Sequence, residues 1–476
     1  MSLWSAQAAA AATGGQNTAE WSASGVSIDT RTLQPGDLFV ALKDARDGHE
    51  FVEQAFEKGA AAALVRHIPD GVDPAKPLLI VDDVQSALEA LGRAGRARMT
   101  GKVAAVTGSV GKTSTKEMLL AMMSDQGRAH GSVASYNNHW GVPLTLARMP
   151  RDTEYAIIEI GMNHPGEIAP LARMASPHVS LVTTVAAAHL EAFDNITGIA
   201  VEKASIFEGV CPGGVAVLNA DIDNSAILMS KAMDCQLRDI TFGENGYDFK
   251  MLSADIQDET TVVRAEMAEQ PLLYKIASPG KHFAMNALGA LAVMAALHAD
   301  IALAVGSLGR WKPFKGRGQR ERIHLDAVDT RLTLDLLDDS YNANPTSMAA
   351  ALEVLAGART TNDIGRVSKG RRIAYLGDMK ELGPDAIALH AGLAHLDAMT
   401  QIDKVYCIGP LMRSLHDNLP DSQKGNWFES AEEAARQVRR HLDSGDVVLA
   451  KGSLSMKLAV VVDAIRKMGH PPLQEE

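Results

Sequence analysis

Along most of this chain, short and nearly continuous apolar runs alternate with stretches in which apolar residues recur at helical spacing. The pattern predicts strands at Leu38 to Leu42, Ala61 to Val65 and Leu78 to Val81, with helices at Phe51 to Lys58 and Val84 to Arg98. From Gly101 onward it predicts strands at Val103 to Val106, Glu154 to Ile160, Val179 to Val185 and Gly214 to Asn219. Helices are expected at Thr113 to Met123, Thr197 to Glu208 and Lys281 to Ala299. Strand-like runs near Phe249, Val262 and Leu272 have no helices between them, which predicts an antiparallel flank. After Lys315-Gly-Arg-Gly-Gln-Arg320, read as a flexible basic hinge, the alternation returns. Strands are expected there at Leu332 to Leu337, Arg371 to Leu376, Lys404 to Ile408 and Asp446 to Ala450. Helices are expected at Thr346 to Ala356, Ala386 to Ala398, Ala431 to His441 and Met456 to Met468. Such alternation implies parallel sheets, whose ligands gather beyond the carboxyl ends of the strands.

A length of 476 residues gives a prior of about three domains. The breaks in the pattern place them at residues 1–99, 100–314 and 315–476: three α/β domains, the central one a parallel nucleotide-binding sheet. The formal net charge of -12 argues against a general nucleic-acid binder. Cys211, Cys235 and Cys407 are scattered without metal spacing, which fits a reducing, cytoplasmic compartment. The alanine run Ala8 to Ala12 is too short for a signal peptide, and no apolar run reaches membrane-spanning length.

The chemistry is densest between the strand ending at Val106 and the helix starting at Thr113. There Thr107-Gly108-Ser109-Val110-Gly111-Lys112-Thr113 joins a strand to a helix N-terminus. Glycines let several N–H groups face one point, and the helix dipole favours an anion at that point. Lys112 adds a positive charge, and the Thr113 hydroxyl suits Mg²⁺. The loop is thus a phosphate cradle, in a shorter form than the usual G-x-x-x-x-G-K-[ST]. Glu159 and His189 fall at or just beyond strand ends, and Lys203 lies on a short helix in the same segment. By residue type alone Glu159 is either a hard oxygen ligand or an exposed carboxylate. His189 is either functional or a satisfied structural histidine, and Lys203 is one charge of the kind usually left in solvent.

Taken together, these words resemble the Mur ligases, the ATP-dependent amide-forming enzymes of peptidoglycan precursor synthesis. Val106 to Thr113, Glu159-Ile-Gly-Met-Asn-His-Pro-Gly-Glu167, His189-Leu-Glu191 and Val201 to Phe207 are similar to central-domain signatures of that family. Ser27-Ile-Asp-Thr-Arg31 and Asp47-Gly-His49 are similar to its N-terminal words. Asp338 to Pro345, Gly377 to Gly383 and Lys451-Gly-Ser453 are similar to the C-terminal words of the member that uses D-alanyl-D-alanine. Leu454 stands where the family often has arginine, and alanines precede His189 where an Asn-Ala pair is common.

The resemblance implies a Rossmann-like third domain and an ATP-dependent carbon–nitrogen ligase acting through an acyl phosphate. The implied substrates are UDP-N-acetylmuramoyl tripeptide and D-alanyl-D-alanine. It places the ATP phosphates on Thr107 to Thr113, with Lys112 catalytic. Of two Mg²⁺ ions, it gives one to Thr113 and Glu159, with His189 helping at a second. Lys203 would be a CO₂ adduct, a lysine carbamate whose carboxylate a metal accepts, and Lys203 and His189 would be catalytic with Lys112. Asn286 would read adenine, and Arg317 and Asp339 would reach ATP from the third domain. Ser27, Arg31, Asn137, Asn138 and His139 would hold the UDP-sugar peptide. Asn342, Asn344, Lys451 and Ser453 would lie near the peptide ends. A monomer is expected, without nucleic acid or membrane insertion. The alternatives are a sister Mur ligase adding one amino acid, a P-loop protein using ATP as a switch, and a simple kinase. Asn342-Ala-Asn-Pro345 argues against the diaminopimelate-adding sister, which would carry Asp-Asn-Pro-Arg.

Overall fold

A computed structural model of the protein describes residues 2–470. Three large sheets follow one another along the chain. The first is five-stranded, in the order Gln16–Asn17, Leu78–Ile80, Ala62–Val65, Asp37–Val40, Gly25–Ser27. All its pairings are parallel except that of Gln16–Asn17. The alanine run lies in the helix Ala6–Thr13, capped by the Ser5 side chain and stopped by Gly14 in the left-handed region.

The second sheet has nine strands. Its parallel part runs Arg238–Gly243, Val215–Asn219, Val179–Val182, Lys102–Thr107, Tyr155–Glu159, Ala129–Gly131. The helices Lys112–Ser124 and Lys281–Ala296 cover one face, through a core that includes Met118, Leu119, Leu288 and Leu291. A separate core containing Ile158, Ile199 and Phe207 covers the other face. Burial on both faces is why these strands read as continuous apolar runs. The expected antiparallel flank is present as Phe249–Ile256, Thr261–Met267 and Gln270–Ile276.

The third sheet has six strands, in the order Gln319–His324, Thr333–Asp339, Val447–Lys451, Arg372–Gly377, Lys404–Ile408, Lys424–Phe428. All pair in parallel except the first. That edge strand shortens the hinge reading, because Gln319 and Arg320 belong to a strand and only Lys315 to Gly318 stay outside one. The strand shows no apolar period because ion pairs hold it: Arg320 Nη2 and Arg322 Nε reach Asp335 at 2.5 and 3.0 Å. Gly316 and Gly318 take φ of 78° and 91°, and the chain turns there. Three predicted helices are broken: Ile196–Ala204 gives way to a 3₁₀ helix at Ser205–Gly209, Ala386–Gly392 gives way to 3₁₀ turns, and the last-but-one is split into Ala431–Ala435 and Val438–His441.

Candidate active site

The carboxyl ends of the second and third sheets face each other across a single cleft. On the central side, Gly108 and Gly111 have φ of 155° and 88°, so the loop turns back over the start of the helix Lys112–Ser124. A Cβ on Gly108 would lie 1.9 Å from Thr183 Oγ1, so only glycine fits there. Thr183 Oγ1 also donates to the carbonyl of Val110 at 2.6 Å, and Ser109 N donates to Thr184 O at 2.8 Å. The strand Val179–Val182 thus fixes the cradle through the residues that follow it. Lys112 Nζ folds back onto the carbonyl of Gly108 at 2.6 Å. Burial lowers the Lys112 pKa; Glu159 opposes that shift, and Arg317 adds to it.

Glu159 ends its strand fully buried. Its Oε1 accepts from Thr113 Oγ1 at 3.1 Å and from Asn137 Nδ2 at 2.7 Å. Its Oε2 is buried and has no hydrogen-bond partner among the described residues. A buried carboxylate oxygen without a donor is costly, and a hard cation would satisfy it. The Thr113 hydroxyl and Glu159 therefore fit Mg²⁺. Among the described residues no three or more His, Cys, Asp or Glu side chains are grouped so that they could hold a metal ion by themselves. Mg²⁺ shared with phosphate oxygens does not need one, since it is held by one or two carboxylates and keeps its remaining ligands from substrate and water.

His189 takes the left-handed conformation, with φ of 59°, just before a short 3₁₀ turn. It lines the cavity with Glu159, but its Nδ1 pairs with Glu381 of the third domain at 2.5 Å. The hydrogen bond to His189 holds the Glu381 carboxyl below its usual range. Lys203 is buried, with 2% of its surface exposed, and has no carboxylate partner among the described residues. Burial, then the nearby charge of Lys112, pushes its amine well below the usual range, and Glu202 opposes this. Glu202 is engaged elsewhere, accepting from the N–H groups of Gly166 and Ile168. Lys203 is thus a buried amine tuned towards neutrality, which corrects the solvated-lysine reading.

The third domain supplies the opposite wall. Arg317 Nη2 donates to Ser135 Oγ at 2.9 Å, and its guanidinium stacks 3.9 Å from the centre of the Tyr341 ring. Asp339 and Lys451 end neighbouring strands and pair at 2.6 Å, with Lys451 Nζ also on the carbonyl of Asn342. Asn344 caps the helix Pro345–Gly357 through Ser347. Ser453 Oγ accepts from Lys380 N at 2.9 Å and stays outside the cavity lining. Asn286 meets the cradle directly: a Cβ on Gly111 would be 2.5 Å from its Oδ1. His282, which sequence reasoning missed, lines the same cavity. Burial lowers its pKa to about 4; Asp339 opposes that shift, and Lys451 adds to it.

The residues expected to hold a UDP-sugar are more dispersed. Ser27 is buried at the end of its strand, and Arg31 is exposed and paired with Asp29. Asn138 Oδ1 accepts from Gly141 N, and His139 lines a second groove with Arg93 and Arg96. Asn137 belongs to the Glu159 cluster rather than to that groove. His49 is locked between Asp47 at 2.7 Å and the N–H of Arg66 at 2.9 Å, which makes Asp47-Gly-His49 a clasp within the first domain. Leu454 is 60% exposed.

Residues 106–294 match the family described as the Mur ligase middle domain. Residues 325–454 match the Mur ligase, glutamate ligase domain, and residues 22–96 the Mur ligase family, catalytic domain. The UDP-N-acetylmuramoyl-tripeptide--D-alanyl-D-alanine ligase of Escherichia coli (strain K12) is 34% identical over 449 residues, 93% of this chain and 94% of that one. The crystal structure of MurF from Acinetobacter baumannii aligns at a TM-score of 0.82 and 28% identity, over 98% of this chain and 99% of that one. MurF ligase from Thermotoga maritima, in complex with ADP, aligns at a TM-score of 0.75 and 25% identity, over 93% and 97%.

Proposed function

The chain belongs to the Mur ligase family, and we infer that within it the chain is the ATP-dependent ligase joining D-alanyl-D-alanine to UDP-N-acetylmuramoyl tripeptide in peptidoglycan precursor synthesis. The observation that carries this reading is the meeting of two strand-end clusters in one cavity: Lys112, Thr113 and Glu159 from the central sheet, Arg317, Asp339 and Lys451 from the third. A cleft so built brings a nucleotide held by one domain under the cover of another.

The chemistry needs that arrangement. A carboxylate is a poor acyl donor, because its charge repels nucleophiles and oxide is a poor leaving group. Transfer of the γ-phosphoryl group of ATP to the tripeptide carboxylate gives an acyl phosphate and ADP. The dipeptide amine then attacks the carbonyl carbon, its proton is lost, and phosphate leaves. The N–H groups of Gly108 to Thr113 hold phosphate oxygens, and Lys112 offsets their charge. Arg317 and Asp339 complete the nucleotide site only when the third domain is closed, and closure excludes the water that would hydrolyse the acyl phosphate. Asn286 contacts adenine. Ser27, Arg31, Asn138 and His139 bind the UDP-sugar end, and Asn342, Asn344 and Ser453 lie towards the incoming dipeptide. Thr113 and Glu159 would hold Mg²⁺, with His189 beside a second ion, and the metal would supply charge neutralisation during phosphoryl transfer. A carbamate on Lys203 would turn a buried amine into a hard anionic donor.

In this reading the domains divide at residues 99/100 and 314/315, and the protein works as a cytoplasmic monomer. No helix among the described residues is long and apolar enough to cross a membrane. The test is phosphate release from ATP with the UDP-muramoyl tripeptide and a panel of amines. Release should require both the tripeptide and D-alanyl-D-alanine. Equal release with a single amino acid would favour the sister ligase, and release without any amine would remove the ligase reading.

A further inference from the structure

Ser135 lies on the loop between the strand Ala129–Gly131 and the helix Gly141–Ala147. Its hydroxyl stands between two domains. Arg317 Nη2 donates to it at 2.9 Å from the third domain, and Thr113 Oγ1 lies 3.1 Å away on the central side. Thr113 Oγ1 is in turn 3.1 Å from Glu159 Oε1. The direction of this chain follows from its ends, since guanidinium only donates and carboxylate only accepts. The single proton of Thr113 goes to Glu159, so Thr113 accepts from Ser135, and Ser135 accepts from Arg317. One lone pair of Thr113 then remains free, beside the unpartnered Oε2 of Glu159.

The loop is built to hold the hydroxyl there. Lys116, fully buried in the phosphate-loop helix, sends Nζ to the carbonyls of Ser132 at 2.8 Å and Ala134 at 3.1 Å. Ala134 takes φ of 50°, a left-handed conformation that non-glycine residues adopt only under local constraint. Asn137, two residues beyond Ser135, donates to Glu159 Oε1 at 2.7 Å. Both anchors of the loop therefore end on the phosphate-loop helix or on Glu159.

We propose that Ser135 is a positioning residue that couples closure of the third domain to the cation site: Arg317, on arrival, orients the Ser135 hydroxyl, which orients Thr113 towards Glu159 with a lone pair left for Mg²⁺. With the third domain withdrawn, Ser135 loses the donor that fixes its hydroxyl, and its proton is no longer held towards Thr113. Phosphoryl transfer is then disfavoured until the cleft has closed over both substrates. The proposal rests on the reading of Thr113 and Glu159 as Mg²⁺ ligands.

The test uses the full chain and two readouts, the Mg²⁺ dependence of ADP affinity by calorimetry and steady-state phosphate release. Ser135→Ala should weaken Mg²⁺-dependent ADP binding roughly tenfold and lower kcat by a similar factor, the scale of one lost charge-assisted hydrogen bond. KM for the UDP-tripeptide should not move. Ser135→Thr, which keeps the hydroxyl, should restore both quantities to within about threefold. A double-mutant cycle then separates relay from packing. Arg317→Ala should cost much less Mg²⁺-dependent ADP affinity in the Ser135→Ala background than in wild type. If Ser135→Ala does not fold, Ser135→Cys, a weaker donor of similar shape, takes its place in the cycle. Additive losses, or an unchanged Mg²⁺ dependence in an active protein, would overturn the relay. Failure of the wild type to release phosphate in a Mg²⁺-dependent way would instead remove the ligand reading beneath it.

Discussion

On one side of the central domain the helix Val84–Ala97 packs on Gly141–Ala147 so closely that a Cβ on Gly95 would lie 2.2 Å from the carbonyl of Leu146. Leu88 and Leu91 of the first domain share an apolar cluster with Leu144 and Ala147 of the second. The polar contacts across this seam end on main-chain carbonyls: Trp4 Nε1 on Ala147, Arg98 on Met149, Arg148 on Val26. On the other side no apolar cluster among the described residues joins the central and third domains. The contacts there are made by polar side chains: Arg317 with Ser135, Glu381 with His189, and Arg320 with both the carboxylate and the carbonyl of Asp258. Exposed or half-exposed ion pairs are individually weak and give no shared core to break on opening. The first seam therefore joins two domains into one body, and the second is the one that the proposed function requires ligands to close. Gly316 and Gly318, both at positive φ, lie where the chain enters the closing domain.

The largest expected effect leaves both seams intact. Lys203→Ala should lower turnover on the order of 10³-fold, because the anionic donor proposed at that position is lost. Short carboxylic acids in the buffer should restore part of it by filling the gap. Lys203→Arg, which keeps a charge and takes up no CO₂, should be inactive and not rescued. Neither variant should change the compactness of the protein in solution scattering. Full activity of Lys203→Arg would rule out the carbamate.

Next in size is Leu91→Ala, aimed at the first seam. Truncating a fully buried leucine costs about 2–5 kcal/mol. Because the cluster is shared, the first and second domains should lose stability together in calorimetry, while the third domain's transition stays in place. Movement of the first domain's transition alone would show that the seam is as separable as the other.

Arg317→Ala tests the second seam. Turnover should fall on the order of 10²-fold, or about 2.7 kcal/mol, the scale for removing one preorganised charge from a phosphoryl-transfer site. Calorimetric affinity for the UDP-sugar peptide should not move, and thermal stability should change little. A matching loss of UDP-substrate affinity would tie Arg317 to the first seam's side of the molecule.

What was legible in the sequence and what was not has a physical basis. The phosphate loop is contiguous, so strand, glycines, Lys112 and Thr113 could be read together, and Glu159 was found because parallel strands present their ends. Apolar periodicity likewise placed most strands of all three sheets. Ser135 carried no such signal, since its partners lie 22 and 182 residues away. Lys116 reads as an ordinary helix lysine until its buried Nζ is seen on two loop carbonyls. The edge strand Gln319–His324 went unread, and its first two residues were placed in the basic hinge, because it is held by charge rather than by burial, with Ile323 its one buried side chain. Glu381 was quoted within a motif, but nothing local shows that it meets His189 across the cleft. Contacts that form only on closure leave little periodic trace in either domain.

The smallest effect sharpens the comparison through pH. His282 sits on the central domain's helix with Asp339 and Lys451 of the third domain facing it; the first favours its protonated form and the second opposes it. Those two are paired with each other at 2.6 Å, so their influences largely cancel and burial dominates. Burial has lowered its pKa to about 4, against about 6.5 for a solvated histidine. Between those values the opened or unfolded protein binds more protons at this site than the closed one, so stability of the closed form rises with pH through the window and is lost as pH falls. With His282 fully solvated on opening, closure at about pH 6 would be disfavoured by about 1 kcal/mol, which is small beside the cost of Leu91→Ala but comparable to a single ion pair of the second seam. Acidification from neutral to about pH 6 should therefore loosen the third domain before it affects the first. Solution scattering of the wild type should show a larger radius of gyration at the lower pH, and His282→Asn should remove the change. If the radius holds in the wild type while the first and second domains lose thermal stability, the burial of His282 does not depend on the third domain, and the cleft is held by more than its ion pairs.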